Sequence, residues 1–296
     1  MNLKEKVVVV SLNISQWTAR KKDVAVTREV EEAHGATDSG NFNKALISKD
    51  VVPVGNSSKE VELNPLKAIG KLAGAVRTYH YKNTSPWSDN GDRILSAKNY
   101  FNYLTEMGKF RKDFDALVDD FLVHYPALIA EARRRLNTMF KEEDYPDAGR
   151  VRDKFRFSYS FMPVGDVDDI RVSIGDDEIQ RVREEVASEL NARVQTALND
   201  LLGRIRDAVG HMAETLTGTT KTAKGTIKEA IFRDSLVGNI CELIELAPLM
   251  NFADDPHIDE VVELIRPLCV DPELLRNEPE VRKEIAERAA AVLPLI

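Results

Sequence analysis

The stretch Arg150-Val151-Arg152-Asp153-Lys154-Phe155-Arg156-Phe157-Ser158-Tyr159 interleaves cations with apolar and aromatic residues. Read as an extended strand, a period of two puts Arg150, Arg152, Lys154 and Arg156 on one face and Val151, Phe155 and Phe157 on the other. Several cations on one side of a strand call for acidic neighbours or phosphates. Grooves that hold single-stranded nucleic acid combine such a row with rings on which bases stack, and Tyr159 is placed for that. The competing reading is an exposed strand whose cations pair with the many local carboxylates. Four lysines are secondary phosphate contacts. Lys21 and Lys22 lie in Arg20-Lys21-Lys22-Asp23 after Trp17, where the alternatives are a solvated turn and a phosphate-contacting edge. Lys221 and Lys224 lie in the small polar loop from Gly218 to Thr226.

Other chemistries find less support. Asp166, Asp168, Asp169, Asp176 and Asp177 are dense enough to hold Mg²⁺ for nuclease chemistry. No lysine or histidine stands at close spacing, and loop solvation with helix capping explains them more simply. His34, His80, His124, His211 and His257 are scattered, with no pair at ligand spacing, so no metal and no cofactor is expected. The 218–226 loop fails as a phosphate loop because Lys224 precedes Gly225. No dinucleotide fingerprint, nucleophile elbow or kinase set is present, and the chain reads as a non-enzyme. Cys241 and Cys269, in apolar helical contexts, read as small buried hydrophobes in a reducing compartment rather than a disulfide or metal pair.

The 296 residues carry 41 Lys and Arg against 49 Asp and Glu, a net charge of −8. That balance excludes a global positive field and leaves only a local basic surface. Val7-Val8-Val9-Val10 is too short for a signal peptide or a membrane span. No membrane association is expected, and the expected location is the cytoplasm.

The elements that position these residues are long. From Asp176 to Leu216 the apolar residues Ile179, Val182, Val186, Leu190, Val194, Leu198, Leu201, Ile205, Val209, Met212 and Leu216 fall three or four apart. This predicts one helix of roughly 60 Å, ended by Gly218. A second run from Ser96 carries Tyr100, Leu104, Met107, Phe110, Phe114, Leu117, Phe121 and Leu122, bends or restarts at Pro126, and continues to Phe140. The simplest packing is a long antiparallel helical hairpin with the 150–174 β-ribbon inserted at its tip. Lys6 to Ser15 predicts a central strand. Asn43–Ile47 and Leu63–Arg77 look helical, and Trp87 reads as a loop anchor. Ile231–Leu246, ended by Pro248, and starts at Asp255-Pro256, Asp271-Pro272 and Glu278-Pro279 predict a C-terminal helical cluster. The expected fold is α+β and helix-dominated, with a small mostly antiparallel sheet, in segments 1–95, 96–217 and 218–296.

Four stretches resemble a family of uncharacterised proteins encoded by phages and mobile elements. They are Ser11 to Lys21, Thr84 to Gly91, Asp144-Tyr145-Pro146 and Phe232 to Asn239. The resemblance spans most of the chain. It implies a phage or mobile-element origin, hence the host-cell cytoplasm, and assigns no activity. Members lie near genes for AAA+ ATPases and von Willebrand-type proteins, which implies an adaptor role. Two functions are therefore expected. One is a protein that oligomerises and binds single-stranded nucleic acid to protect or anneal it. The other is a scaffold that docks on an AAA+ ATPase.

Overall fold

A computed structural model describes residues 3–48, 52–53, 61–62, 65–165, 176–221, 227–229 and 232–296. In chain order its helices are α1 (Leu3–Lys6), α2 (Val24–His34), α3 (Pro65–Asn83), α4 (Tyr100–Leu136), α5 (Ala148–Arg152), α6 (Asp176–Leu216), α7 (Ser235–Met250), α8 (Pro256–Ile265), α9 (Pro272–Asn277) and α10 (Pro279–Val292). The strands are β1 (Val7–Ser15), β2 (Arg20–Lys22), β3 (Asn43–Ala45), β4 (Val52–Pro53), β5 (Val61–Glu62), β6 (Ser85–Pro86), β7 (Arg93–Ser96), β8 (Arg156–Pro163), β9 (Thr219–Lys221) and β10 (Ile227–Glu229). The fold is α+β and helix-dominated. It forms two compact units. The first comprises Met1–Ser11, His80–Tyr103 and Ser160–Ile296; the second comprises Leu12–Tyr79 and Leu104–Tyr159.

In the first unit α6 has the expected bounds, and Gly218 follows it at φ +83°, a left-handed conformation that favours glycine. Val194, Leu198, Leu201, Ile205, Val209, Met212 and Leu216 are buried. Two rods burying each other's seams was the expectation. At these residues the cover is the C-terminal cluster: α7 with Leu236, Ile240 and Ile244, and α10 with Ile285, Ala289 and Val292. The alanines of α10 let it approach closely. The earlier residues Ile179, Val182, Val186 and Leu190 are only half-buried.

Helix starts follow the capping chemistry. Asp255 accepts from the His257 amide at 3.0 Å and Asp271 from the Glu273 amide at 2.9 Å, each with proline at the first helical position. Helix α7 runs past Pro248 to Met250, against the expected stop. The buried Ala247 and Met250 on either side hold that last turn in place. The sheet order is β6-β7-β1-β8, so β1 is interior as its valine run requires, and Val7 to Val10 pair antiparallel with Ser96 to Arg93.

Cys241 of α7 and Cys269, beyond α8, form a disulfide with Cα atoms 5.2 Å apart, and Cys269 is exposed. This corrects the reading of two buried thiols and removes the argument from free thiols to a reducing compartment. Local apolar context could not show that α8 folds back on α7 and brings together residues 28 apart. His80 is buried, and one ring nitrogen lies 2.8 Å from the Tyr103 hydroxyl. Burial, with the Arg93 charge adding to it, pushes its pKa down to about 4.

In the second unit α4 is continuous through Pro126, so the helix does not restart there. Tyr125 and Leu128, both buried, pack on either side of the proline. The helix stops before Asn137, which has φ +48°. Its aromatic stripe is covered by other rings: Trp17 packs edge-on against Phe121 and Tyr125, Phe155 edge-on against Phe121, and Phe157 tilted against Phe114. Centroid separations run from 5.6 to 6.3 Å, in the range where offset and T-shaped rings attract.

Two outcomes test this fold. Because folded His80 binds its proton more weakly than the unfolded chain, stability is complete above pH 6.5 and falls as pH drops toward 4. The loss is about 3 kcal/mol, and a His80→Gln variant followed by urea unfolding at each pH should lack that slope. Reducing the disulfide, or Cys269→Ser, should cost about 3–4 kcal/mol in the loop-entropy model, read as a lower urea midpoint. An unchanged midpoint rejects a structural role for the bridge.

Candidate nucleic-acid interface

The residue pattern that points to phosphate chemistry is carried by the second unit, but not as a strand. Asp147 accepts from the Arg150 amide at 3.0 Å and caps the short helix α5. Arg150 and Arg152 therefore lie on a helix, where a separation of two turns side chains about 200° apart. Local capping wins over the alternating pattern, because the strand begins only at Arg156. The expected one-sided row of four cations does not form.

Each cation has its own surroundings. Arg150 pairs with Asp147 at 3.2 Å, and Arg152 pairs with Asp119 of α4; all four side chains are more than half exposed. The Asp119 carboxylate holds the Arg152 guanidinium above its usual range. Lys154, in the turn after α5, and Arg156, at the start of β8, are exposed and have no ion-pair partner among the described residues. The ring of Tyr159 is half-buried beneath Arg111 of α4, whose guanidinium carbon lies 4.9 Å from the ring centroid and 5.8 Å from that of Phe157. Arg111 went unnoticed in the sequence because it resembles any cation on a long solvated helix. Its signal is its position three residues before Phe114, on the flank of the aromatic stripe.

The Asn43–Ile47 segment is the strand β3 rather than a helix, and it pairs with β2 in the register Arg20↔Ala45, Lys21↔Lys44, Lys22↔Asn43. Lys44 is the reason. Its ammonium, with the side chain 3% exposed, meets Asp144 at 2.7 Å and Asp23 at 3.4 Å and donates to the Met139 carbonyl at 2.8 Å. Burial opposes the charge on Lys44, but Asp144 and Asp23 outweigh it and raise its pKa. Burial likewise pushes the Asp144 carboxyl up, and hydrogen bonds from Lys21 and Lys44 more than reverse that, leaving it below the usual carboxylate range. Arg135 donates to the Ala45 carbonyl at 2.8 Å, and the Tyr145 hydroxyl donates to Leu46 at 3.1 Å. The β2–β3 ribbon is thus fastened to the C-terminal end of α4. Lys21 is bonded to Asp144 with half its side chain in solvent, and Lys22 is exposed without an ion pair among the described residues.

Seven of the nine sequence candidates, Arg150, Arg152, Lys154, Arg156, Tyr159, Lys21 and Lys22, belong to this one unit. Lys221 is on β9 of the first unit, and Lys224 lies outside the described residues, as do Asp166, Asp168, Asp169 and the 170–174 strand. The side chains of Asp176 and Asp177 are likewise not described. Among the described residues no cluster of three or more His, Cys, Asp or Glu is placed to hold a metal ion, and no helix is long and apolar enough to cross a membrane. The second unit carries 21 Lys and Arg against 19 Asp and Glu, whereas the first carries 20 against 30. The chain's acidity therefore resides in the first unit. No family model, curated protein or solved structure matches this chain.

These geometries divide the cations into fixed and exchangeable ones. Exposed ion pairs contribute about 0–1 kcal/mol, so Arg150 and Arg152 lose little by turning to a phosphate. An exposed arginine on a ring contributes about 0.5–1 kcal/mol, and a stacked base about 1–3. A base can therefore replace Arg111 on Tyr159 and free its guanidinium for the backbone. Lys44 cannot be released in this way. Lys44→Ala, which leaves two carboxylates facing each other, should destabilise the protein by about 3–5 kcal/mol in urea unfolding, whereas Lys21→Ala should cost under about 1 kcal/mol. The stability carried by Asp144 should be complete above pH 3.8, its unperturbed value, and lost as pH falls through the depressed folded value. A Lys44→Ala protein as stable as the parent would show the cluster to be neutral.

Proposed function

We propose that this chain is a non-enzymatic protein that binds single-stranded nucleic acid through its second unit. The observation that carries the reading is the company of Tyr159: a ring under a displaceable Arg111, on a strand that opens with Arg156, two residues after Lys154. Lys154 and Arg156 supply cations with no ion pair among the described residues. Arg150, Arg152, Lys21 and Lys22 supply contacts that exchange at small cost. Lys221, on the first unit, and Lys224, outside the described residues, carry no part of this reading. The resemblance to phage and mobile-element proteins supports action in a host cytoplasm, where protection or annealing of single strands in an oligomer is the role envisaged.

A second reading draws on α6. The half-buried Ile179, Val182, Val186 and Leu190 recur along the first turns of a helix 41 residues long. Such a row suits a contact arm of a scaffold, and the partner in this reading is an AAA+ ATPase. Co-purification of an ATPase that is lost in a Val182→Glu, Val186→Glu variant supports it, and an unaffected complex removes it.

The first reading is tested by fluorescence anisotropy with a labelled oligothymidylate. Lys154 and Arg156 with one or two of the exchangeable cations, three to four phosphate contacts in all, give a log–log salt slope of about −2 to −3, so affinity should fall about 30-fold between 50 and 200 mM salt. Lys154→Ala and Arg156→Ala should each flatten that slope by about 0.7. Absence of binding, or binding indifferent to salt, overturns the reading.

A further inference from the structure

Helix α4 carries a second arginine over a ring. The guanidinium carbon of Arg133 lies 4.9 Å from the centroid of Phe140, and on Phe140 the ring of Tyr145 stacks at 5.0 Å with an interplanar angle of 23°. Arg133 also pairs with Glu142 at 3.2 Å, in an ion pair 59% and 83% exposed on its two sides. Phe140 and Tyr145 are half-buried, and the hydroxyl of Tyr145 is held by the Leu46 carbonyl. The neighbouring Arg134 is exposed with no ion pair among the described residues, and Lys141 is exposed. Arg111 and Arg133 are 22 residues apart. That is about six helical turns, so they emerge on nearly the same side of α4, about 33 Å apart along its axis. The segment between the two rings follows α4 backwards: Tyr125 donates to the Pro146 carbonyl, Arg152 meets Asp119, and Phe155 meets Phe121.

We propose that Phe140, Tyr145 and Arg133 form a second base-stacking site, and that one single strand runs along α4 from Tyr159 to Phe140. This rests on the nucleic-acid reading above and extends it by a site and a length. A base entering at Phe140 displaces the Arg133 guanidinium, which is released together with its loose partner Glu142. The freed cation, with Arg134 and Lys141, then meets the phosphates on either side. At 3.4 Å per stacked nucleotide, 33 Å corresponds to about ten nucleotides. A five-nucleotide strand fits one site, and a fifteen-nucleotide strand reaches both. Joining two weak sites through one strand raises affinity well beyond either alone.

The test compares dT5 and dT15 by native mass spectrometry and anisotropy on the full chain. The parent protein should take two dT5 or one dT15. Phe140→Leu, which keeps bulk and removes the ring, should take one dT5 and bind dT15 about tenfold more weakly. Tyr159→Leu should behave the same way through the other site. An Arg134→Ser, Lys141→Ser variant, altered only at exposed positions, should weaken dT15 and flatten its salt slope while melting like the parent. One dT5 per parent chain, with Phe140→Leu indistinguishable from the parent, overturns the second site and leaves the first reading standing. No binding of either strand overturns both. Polyglutamate bound as tightly as dT15 and lost in Phe140→Leu assigns the site to an acidic protein and overturns the nucleic-acid assignment.

Discussion

A lysine ammonium withdrawn from water must be met by carboxylates, and Lys44 is met by two. Removing Lys44 leaves the buried Asp144 with only the half-exposed Lys21 as a cation partner among the described residues, at several kilocalories per mole. That constraint decides the local structure of the second unit. Lys44 must point at Asp144, so residues 43–45 become a strand, and β2 is laid against them. Asp23 completes the cluster while its carboxylate caps α2 at the Val26 amide. Asp144 sits in the turn after α4, so the whole N-terminal ribbon is fixed to that helix end. Lys21 and Lys22 reach the surface from a ribbon whose position depends on one buried ion cluster.

The same accounting separates structural charge from usable charge. Arg152 with Asp119 and Lys44 with Asp144 are both ion pairs, yet their side chains differ from 51% and 59% exposed to 3% and 1%. In high dielectric the first pair contributes little and competes poorly with a phosphate; the second is part of the core. Matching of the arginines by the protein's own acids therefore does not remove them from a binding surface. Burial decides, and here it reserves Lys44 for the fold and leaves Arg150 and Arg152 exchangeable. Arg111 and Arg133 belong with the exchangeable group, because the rings they cover are better partners for bases than for guanidinium.

Long-range pattern was readable from the residues, and short-range competition was not. Helix α6 was plain from Ile179 to Leu216, since eleven apolar positions at one period leave no alternative. Asp255-Pro256 and Asp271-Pro272 announced their helices through capping chemistry that needs no tertiary partner. Residues 150–156 misled because Arg-Val-Arg-Asp-Lys-Phe-Arg satisfies a period of two while Asp147 supplies an N-cap three residues before Arg150. Over so short a span the cap outweighs the pattern. Asn43–Ile47 misled because the partner that makes it a strand, Asp144, lies 100 residues on. The disulfide was hidden for the same reason, and Arg111 and Arg133 were hidden because solvated helix faces are full of arginines.

Charge partition ties these points to function. A chain with net charge −8 is a poor candidate for a phosphate backbone only if its charge is spread evenly, and it is not. With 30 acids against 20 bases in the first unit and near balance in the second, the second unit carries no acidic excess of its own to oppose a phosphate. At physiological salt the Debye length is about 8 Å, so distant carboxylates count for little at Tyr159 or Phe140. At about 0.01 M salt the length grows to roughly 30 Å and the chain's net charge of −8 begins to act. On the proposed nucleic-acid reading, affinity for a single strand should then rise less steeply on dilution than its contact number implies. That curvature in the salt plot separates a local basic track on an acidic protein from a uniformly basic binder.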